Sequence, residues 1–125
     1  MYKVDKPWGY EIIWAMSSDD GGYVGKHIHI NKGHQLSLQY HEQKEEAIYV
    51  TKGTLQFVTK GTATHPKEHA TTEFLKPGQH REIQTGLIHR FAAGSAAVDL
   101  IEVSTKHLDD VVRLQDDYGR EEKID

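Results

Sequence analysis

The sequence contains no cysteine. This absence excludes disulfide bonds and thiolate metal sites, and it fits the reducing cytoplasm, which is the location we expect. The chain also lacks any apolar run near the roughly 20 residues that a membrane-spanning helix needs. Its first six residues lack the apolar core of a signal peptide. The sequence therefore predicts a protein without a membrane partner.

Charge of one sign is not concentrated anywhere in the chain. The formal net charge is −4, and acidic and basic residues are interspersed without a basic stripe. A nucleic-acid partner is therefore not expected. With 125 residues the chain forms one domain, large enough to hold a core without disulfide or metal staples. We place the core at about residues 7–115 and a charged tail at residues 116–125, whose end we expect to fray.

Long helical patterns are missing as well, and only Leu108–Val111 is a candidate for one short helical turn. Instead, short runs rich in Val, Ile, Thr, Tyr and Phe alternate with Gly, Pro, Asn and Asp, as is typical of strands and turns. Residues 61–71 form the longest predicted polar loop. Many short strands without helices indicate an all-β sandwich or small barrel. The predicted strands are Tyr10–Ala15, Tyr23–Ile30, Gln35–His41, Glu46–Thr51, Thr54–Thr59, Thr72–Leu75, His80–Gln84, Ile88–Ala92 and Ala97–Ser104.

Four polar residues on three of these strands are candidate metal ligands: Gln39, His41, Glu46 and His89. Residues two apart on a strand project from one face, so Gln39 and His41 place both donors on the same side. A neighbouring strand would bring Glu46 alongside, and His89 must come from a distant segment. These donors suit one divalent ion, with Zn²⁺ as the first expectation and Mn²⁺, Co²⁺, Ni²⁺ or Fe²⁺ as alternatives.

The strand that carries Gln39 and His41 has its apolar residues on the opposite face. Ser37 shares the face of the two ligands, whereas Leu36 and Leu38 point the other way. If the ligands point into a barrel, the leucines point out of it and need a cover. A further sheet layer or a second subunit would provide one, so this pattern predicts a homodimer.

Two spaced pieces of the chain resemble the two sequence motifs of the cupin β-barrels. The first piece runs from Gly33 to Gly53, with Gln39 at the position of the usual first histidine, and the second runs from Gly78 to His89. The resemblance implies a cupin fold, that is, a double-stranded β-helix or jelly-roll barrel, over the whole chain as a single domain.

The resemblance is closer to one branch of the cupins, the type II mannose-6-phosphate isomerases, including the C-terminal domain of bifunctional mannose-1-phosphate guanylyltransferase/isomerases. It is carried by Lys6–Tyr10, Gly33–His41, Gly86–Arg90, Asp109–Arg113 and Asp117–Arg120. It implies a metal-dependent aldose–ketose isomerase acting on mannose 6-phosphate and fructose 6-phosphate. In such a reaction negative charge develops on the C1 and C2 oxygens, where a divalent ion stabilises it, and a base moves a proton between the two carbons.

Lysines are the candidate acid–base residues. Lys44 or Lys26 would serve if burial removed its solvation, and His29 is a weaker candidate. Lys44 ends the string Glu42-Gln43-Lys44, where type II enzymes usually carry His-His-Arg. Since lysine and arginine differ in geometry and pKa, the chemistry at this position departs from the family pattern.

Three further residues are candidates for contact with the sugar phosphate. Ser37 lies on the ligand face, and Arg90 and Arg113 are candidates to hold the phosphate.

Two other functions stay open. The altered string and the long segment Lys60–Phe74 favour a non-catalytic sugar- or nucleotide-sugar-binding cupin in polysaccharide metabolism. An Fe²⁺-dependent dioxygenase is the third interpretation, because one fold supports many chemistries. Gln39 argues against it, since such sites commonly use three histidines and a glutamate.

Overall fold

The computed structural model describes residues 1–121, which form eleven strands and no helix. Residues 122–125, the end of the predicted tail, lie outside the described part. Within it, no helix is long and apolar enough to cross a membrane. The strands are β1 (Tyr2–Lys6), β2 (Gly9–Met16), β3 (Tyr23–Ile30), β4 (Leu38–Tyr40), β5 (Glu46–Lys52), β6 (Leu55–Thr62), β7 (Pro66–Leu75), β8 (His80–Ile83), β9 (Leu87–Ala93), β10 (Val98–Thr105) and β11 (Val112–Gln115).

The strands form two antiparallel sheets. The six-stranded sheet has the order β1-β2-β3-β10-β5-β8, and the five-stranded sheet has the order β11-β4-β9-β6-β7. Neighbours in space are often distant in sequence: β10 pairs with both β3 and β5, and β9 with both β4 and β6. The predicted all-β, single-domain cupin architecture is confirmed.

One hydrophobic cluster joins the two sheets, because alternate residues of each strand point inward. Phe57 on β6 and Phe91 on β9 lie with their ring centroids 6.0 Å apart. Each fully buried side chain of this kind contributes about 1.5–3 kcal/mol to the stability of the fold. The cluster contains Trp8, Ile28, Ile30, Leu36, Ile48, Val50, Leu55, Phe57, Leu75, Ile83, Phe91, Ala93, Val98 and Leu100.

Apolar and polar residues separate along the inner face of the strands. On β10, Leu100 belongs to the hydrophobic cluster, whereas Glu102, two residues further on the same face, is a buried charge. On β9 the same change occurs between Phe91 and His89. The hydrophobic core therefore fills one end of the barrel, and buried polar side chains occupy the other end.

The prediction of a polar loop at residues 61–71 is wrong. Strand β6 continues to Thr62 and β7 begins at Pro66, so the loop is a turn of residues 63–65 in a long hairpin. Most of β7 is exposed. Strand residues that face water on both sides carry no apolar alternation, and this explains why the sequence pattern missed them. The strands β1 and β11 were also not predicted, and Leu108–Val111 is a turn and extended chain rather than a helical turn.

The predicted strand Gln35–His41 is shorter than expected. Only Leu38–Tyr40 forms a regular strand, and the irregular backbone before it turns Leu36 into the hydrophobic cluster instead of outward. Leu36 and Leu38 are both buried within one chain. The apolar face that motivated the homodimer is thus already covered, and the homodimer stays a prediction without support from this strand.

Candidate metal centre

Three of the four predicted ligands converge at the polar end of the barrel. His41 follows the end of β4, Glu46 begins β5, and His89 lies on β9. One donor atom from each lies within 4.8 Å of the others, and all three side chains are buried. Nε2 of His41 and Nε2 of His89 each lie 3.6 Å from a carboxylate oxygen of Glu46.

Backbone carbonyl groups orient both imidazole rings. Nδ1 of His41 donates a hydrogen bond of 2.6 Å to the carbonyl oxygen of Asp110, and Nδ1 of His89 donates one of 2.8 Å to that of Leu87. Both Nε2 atoms are buried, and neither has a hydrogen-bond partner among residues 1–121. Burial lowers the pKa of His89 to about 4, so this ring is neutral at neutral pH.

This arrangement fits a divalent ion. A buried nitrogen without a partner is costly unless a ligand uses its lone pair, and metal-bound histidines typically donate their other ring N–H to a carbonyl or carboxylate. Glu46 adds an anionic oxygen, Oε2, that also has no hydrogen bond of suitable geometry. Two imidazoles and one carboxylate suit Zn²⁺, Mn²⁺, Co²⁺, Ni²⁺ and Fe²⁺ alike.

Gln39, the fourth predicted ligand, lies on the same face. It stands directly opposite His89 in the pairing of β4 with β9. Its amide oxygen accepts a hydrogen bond of 2.6 Å from Oγ of Ser37. Ser37 is only 1% exposed and lies outside the cavity, so its contact orients Gln39 rather than reaching a substrate.

Lys44, a candidate acid–base residue, reaches the ligands from the connection between β4 and β5. Its Nζ lies 2.9 Å from Oε2 of Glu46 and 3.3 Å from Oε2 of Glu102. Burial alone would lower the pKa of Lys44, but the charges of Glu102 and Glu46 outweigh this effect and raise it above its usual value. Lys44 is therefore held in its cationic form.

Sequence reasoning missed Glu102. This glutamate on β10 is 4% exposed, and its burial raises its pKa. The sequence did contain a signal for its burial: Glu102 follows the core residue Leu100 by two positions on a regular strand, so both side chains point inward.

Lys26, the second lysine candidate, lies on β3 and pairs in register with Glu102. Its Nζ is 3.3 Å from Oε1 of Glu11. Charges of opposite sign therefore follow one another across the inner face, in the order Glu11, Lys26, Glu102, Lys44 and Glu46.

A cavity of about 290 Å³ opens onto this end of the barrel. Gln39, His41 and Lys44 line it on one side, and Glu11 and Lys26 on the other. Its remaining lining is Tyr2, Val4, Lys6, Trp8, Ile13, Leu36, Leu108, Asp109, Asp110, Val111, Arg113 and Arg120.

The two candidate phosphate ligands occupy different places. Arg113 lines the cavity opposite Gln39 in the pairing of β11 with β4, and its buried Nε has no hydrogen-bond partner in the described part of the chain. Arg90 does not line the cavity, since it neighbours the inward-facing His89 on the strand. Its guanidinium donates to the carbonyl oxygens of Leu36 and Gln115, at 2.8 Å and 3.2 Å. Arg90 thus bridges the segment before β4 and the end of β11.

His29, the weaker acid–base candidate, lies outside the cavity on the other face of β3. Nδ1 of His29 and Nε2 of His27 lie 2.9 Å and 2.8 Å from the same carboxylate oxygen of Asp99. Tyr10 stacks on His29 with a centroid distance of 4.8 Å. This histidine therefore belongs to a surface cluster.

Asp110 is a second residue that sequence reasoning did not single out. Its carboxylate accepts hydrogen bonds from the backbone N–H groups of Glu42, Gln43 and Lys44, at 3.0, 2.7 and 2.8 Å. Burial alone would raise the pKa of Asp110, but these bonds lower it overall. Because its carbonyl oxygen also orients His41, Asp110 holds the loop that carries Lys44 beside the metal ligands.

Comparisons with known sequences show the family of the chain. A family model described as the C-terminal domain of mannose-6-phosphate isomerase matches residues 1–116. The xanthan biosynthesis protein XanB of Xanthomonas campestris is 36% identical over 124 residues, which cover 94% of this chain and 24% of XanB. The alginate biosynthesis protein AlgA of Pseudomonas aeruginosa is also 36% identical, with coverage of 94% and 23%. The mannose-1-phosphate guanylyltransferase ManC of Salmonella typhimurium is 33% identical, with the same coverage. The chain spans about a quarter of the length of these curated relatives.

Solved structures share the fold at low sequence identity. The capsular polysaccharide assembling protein CapF of Staphylococcus aureus superposes with a TM-score of 0.76 at 14% identity, over 91% of this chain and 32% of CapF. KdgF of a Halomonas species superposes with a TM-score of 0.67 at 16% identity, over 86% of this chain and 89% of KdgF. The polyketide cyclase RemF of Streptomyces resistomycificus superposes with a TM-score of 0.66 at 19% identity, over 84% of this chain and 70% of RemF.

Proposed function

The chain belongs to the family of mannose-6-phosphate isomerase C-terminal domains, and on this premise we propose that it is a metal-dependent aldose–ketose isomerase of mannose 6-phosphate and fructose 6-phosphate. The observation that carries the proposal is the pair of buried, unpartnered Nε2 atoms of His41 and His89 beside Glu46. They lie next to a cavity whose lining is rich in charged side chains.

His41, Glu46 and His89 would hold one divalent ion, with Gln39 on the same face as a fourth donor. The bound ion would supply stabilisation for negative charge on the C1 and C2 oxygens of the substrate. Lys44 lines the cavity and contacts Glu46 directly, so a sugar bound at the ion would lie beside its ammonium group. Since Glu46 and Glu102 keep it protonated, Lys44 would donate a hydrogen bond to the developing oxyanion and would not be the base that moves the proton between C1 and C2.

The cavity also favours an anionic substrate of modest size. Lys6, Arg113 and Arg120 line it. Arg120 is already paired with Asp116, whereas Arg113 forms no ion pair among residues 1–121 and is the candidate to hold a phosphate oxygen. Its volume of about 290 Å³ lies at the lower end of the roughly 300–1,000 Å³ of small-molecule sites. This size suits a monosaccharide phosphate better than a nucleotide sugar.

Turnover by stripped and reloaded protein tests the proposal. Chelator-treated protein would receive Zn²⁺, Mn²⁺, Co²⁺, Ni²⁺ or, without oxygen, Fe²⁺, and formation of fructose 6-phosphate would be measured. We expect activity only with metal, and a His69→Ala variant, altered on the exposed strand β7, should keep it. Absence of turnover with every metal, on phosphorylated and free sugars, would exclude an isomerase.

A non-catalytic sugar-binding cupin is the second candidate. It is favoured by the state of Lys44, which two carboxylates hold in its cationic form. Saturable binding of mannose 6-phosphate without turnover, measured by calorimetry on the same metal-loaded samples, would support this alternative. Oxygen consumption by the Fe²⁺-loaded protein with a bound sugar would instead indicate the dioxygenase.

A further inference from the structure

A buried ion pair lies on the cavity wall away from the candidate metal ligands. Nζ of Lys26 is 3.3 Å from Oε1 of Glu11, and the two side chains are 11% and 12% exposed. Both residues line the cavity, on the neighbouring strands β2 and β3. The pair therefore faces whatever the cavity binds.

Packing alone does not require charges at these two positions. In the register of the strands, Glu11 stands between Val4 and Ile28, and Lys26 stands between Ile13 and Glu102. Replacing a buried ion pair by well-packed apolar residues is often neutral or stabilising, because removing two charges from water is costly. Lys26 has Glu102 as a second charged neighbour, but Glu11 stands between two apolar residues. A pair retained there at the edge of a cavity points to a ligand that uses it.

The pair offers the cavity both kinds of hydrogen-bonding group. The Lys26 ammonium has three N–H donors, and among residues 1–121 only Glu11 contacts it at ion-pair distance. The Glu11 carboxylate keeps acceptor sites beyond the one that faces Lys26. An alcohol needs one acceptor and one donor, so adjacent hydroxyl groups match the pair. Its net charge of zero makes it a poor site for phosphate, in contrast to Arg113.

The position of the pair also separates it from the reacting carbons. Lys26 lies on β3, and the ligand Glu46 lies on β5, with β10 between them. At about 4.8 Å per strand, the two backbones are on the order of 10 Å apart. This distance suits the part of a six-carbon sugar beyond C1 and C2.

We propose that Glu11 and Lys26 form a subsite for the hydroxyl groups of the sugar beyond its reacting carbons. The inference rests on the proposed function for the identity of the ligand. It gives Lys26 a binding role in place of the acid–base role predicted from the sequence. It also makes Glu11 a determinant of which sugar phosphates are accepted.

The test compares sorbitol 6-phosphate with its 3-deoxy and 4-deoxy analogues on the metal-loaded protein. Calorimetric Kd values would be measured for the wild type, Glu11→Gln and Lys26→Met. We expect the wild type to bind one deoxy analogue about 10-fold more weakly than the parent compound, as the loss of a hydrogen bond to a charged group predicts. In both variants the parent should bind about 10-fold more weakly and this discrimination should vanish, with metal content and inorganic phosphate binding unchanged.

Controls keep the result specific. The exposed pair Lys3–Asp5 supplies the matched double variant, Lys3→Met with Asp5→Asn, which should bind like the wild type. If a single variant does not fold, the double variant Glu11→Met with Lys26→Met replaces the whole pair by apolar side chains and serves instead.

Failure of the subsite and failure of the isomerase give different results. Unchanged binding in the Glu11 and Lys26 variants, or equal losses for sorbitol 6-phosphate and both deoxy analogues, would overturn the subsite. Lost discrimination in a protein that shows no turnover would support the subsite and reject the isomerase.

Discussion

The imidazole of His41 and the main chain of Asp110 are joined by a hydrogen bond of 2.6 Å from Nδ1 to the carbonyl oxygen. The carboxylate of Asp110 binds the backbone of residues 42–44 at the same time. One residue thus connects a candidate metal ligand, the loop that presents Lys44, and the start of the segment that leads to Arg113.

Asp110→Asn should loosen this connection. An amide can keep one acceptor oxygen but places an N–H₂ group against backbone N–H donors, so we expect a loss of about 1–3 kcal/mol in unfolding free energy. Urea denaturation at neutral pH would measure the loss. The matched control is Asp109→Asn at the exposed neighbouring position, and an equal effect in both variants would contradict a special role of Asp110.

Removing a predicted ligand should abolish metal binding. His41→Ala and His89→Ala each delete a buried nitrogen that has no other partner. We expect Zn²⁺ affinity to fall by at least about 100-fold, since even residues that only support a metal ligand change affinity by 10–100-fold. Competition with a chromophoric chelator would measure the Kd, with exposed His69→Ala as the control. Full metal occupancy in the His41 variant would refute the ligand assignment.

Loss of Lys44 should separate stability from activity. Lys44→Met leaves Glu46 and Glu102 buried without their cation, so we expect a destabilisation of about 3–5 kcal/mol. Adding Glu102→Leu removes the second carboxylate and should restore much of the stability.

Activity should stay lower than in the wild type by about 100-fold or more in both Lys44 variants, because the hydrogen-bond donor to the developing oxyanion is missing. Steady-state kinetics beside denaturation curves would show this separation, with exposed Lys52→Met as the control. Recovery of kcat in the stable double variant would contradict the role of Lys44.

The metal-free protein should lose stability as the pH falls, in part through His89. Its pKa is about 4 in the folded chain, whereas an unfolded histidine titrates near 6.5. Between these values the unfolded state binds a proton that the folded state does not. The stability is therefore fully present above about pH 6.5 and declines toward pH 4. The difference between the two pKa values corresponds to about 3 kcal/mol.

His89→Gln should flatten this part of the pH dependence, because glutamine does not titrate. Urea denaturation of both proteins at several pH values between 4 and 7 isolates the contribution of His89 from that of other groups. Parallel curves for the two proteins would show that His89 is not the source.

Much of the barrel was predictable because its inner strands bury one face. Tyr23–Ile30, for example, is predicted and observed with the same bounds. The edge strand β1 and the first part of the edge strand β7 gave no such signal, because their residues are mostly exposed. A period of two in hydrophobicity exists only where one side of a strand is buried.

The candidate site also has one part that was predictable from the sequence and one part that was not. His41, Glu46 and His89 were predictable from their residue types and strand positions. The role of Asp110 was not, because it depends on a contact between segments 66 to 68 residues apart. Arg90 lies outside the cavity for a simpler reason: its neighbour His89 takes the inward position, and adjacent strand residues face opposite ways.

Strand β10 has a consequence for how the chain folds. It lies between β3 and β5 in the six-stranded sheet, although it consists of residues 98–105. A nascent chain in which these residues have not yet been synthesised exposes the unpaired edges of β3 and β5 and lacks Glu102. Such distant pairings are characteristic of domains that fold in milliseconds to seconds rather than microseconds. Recovery of the protein from cells should therefore depend on protecting those edges during synthesis.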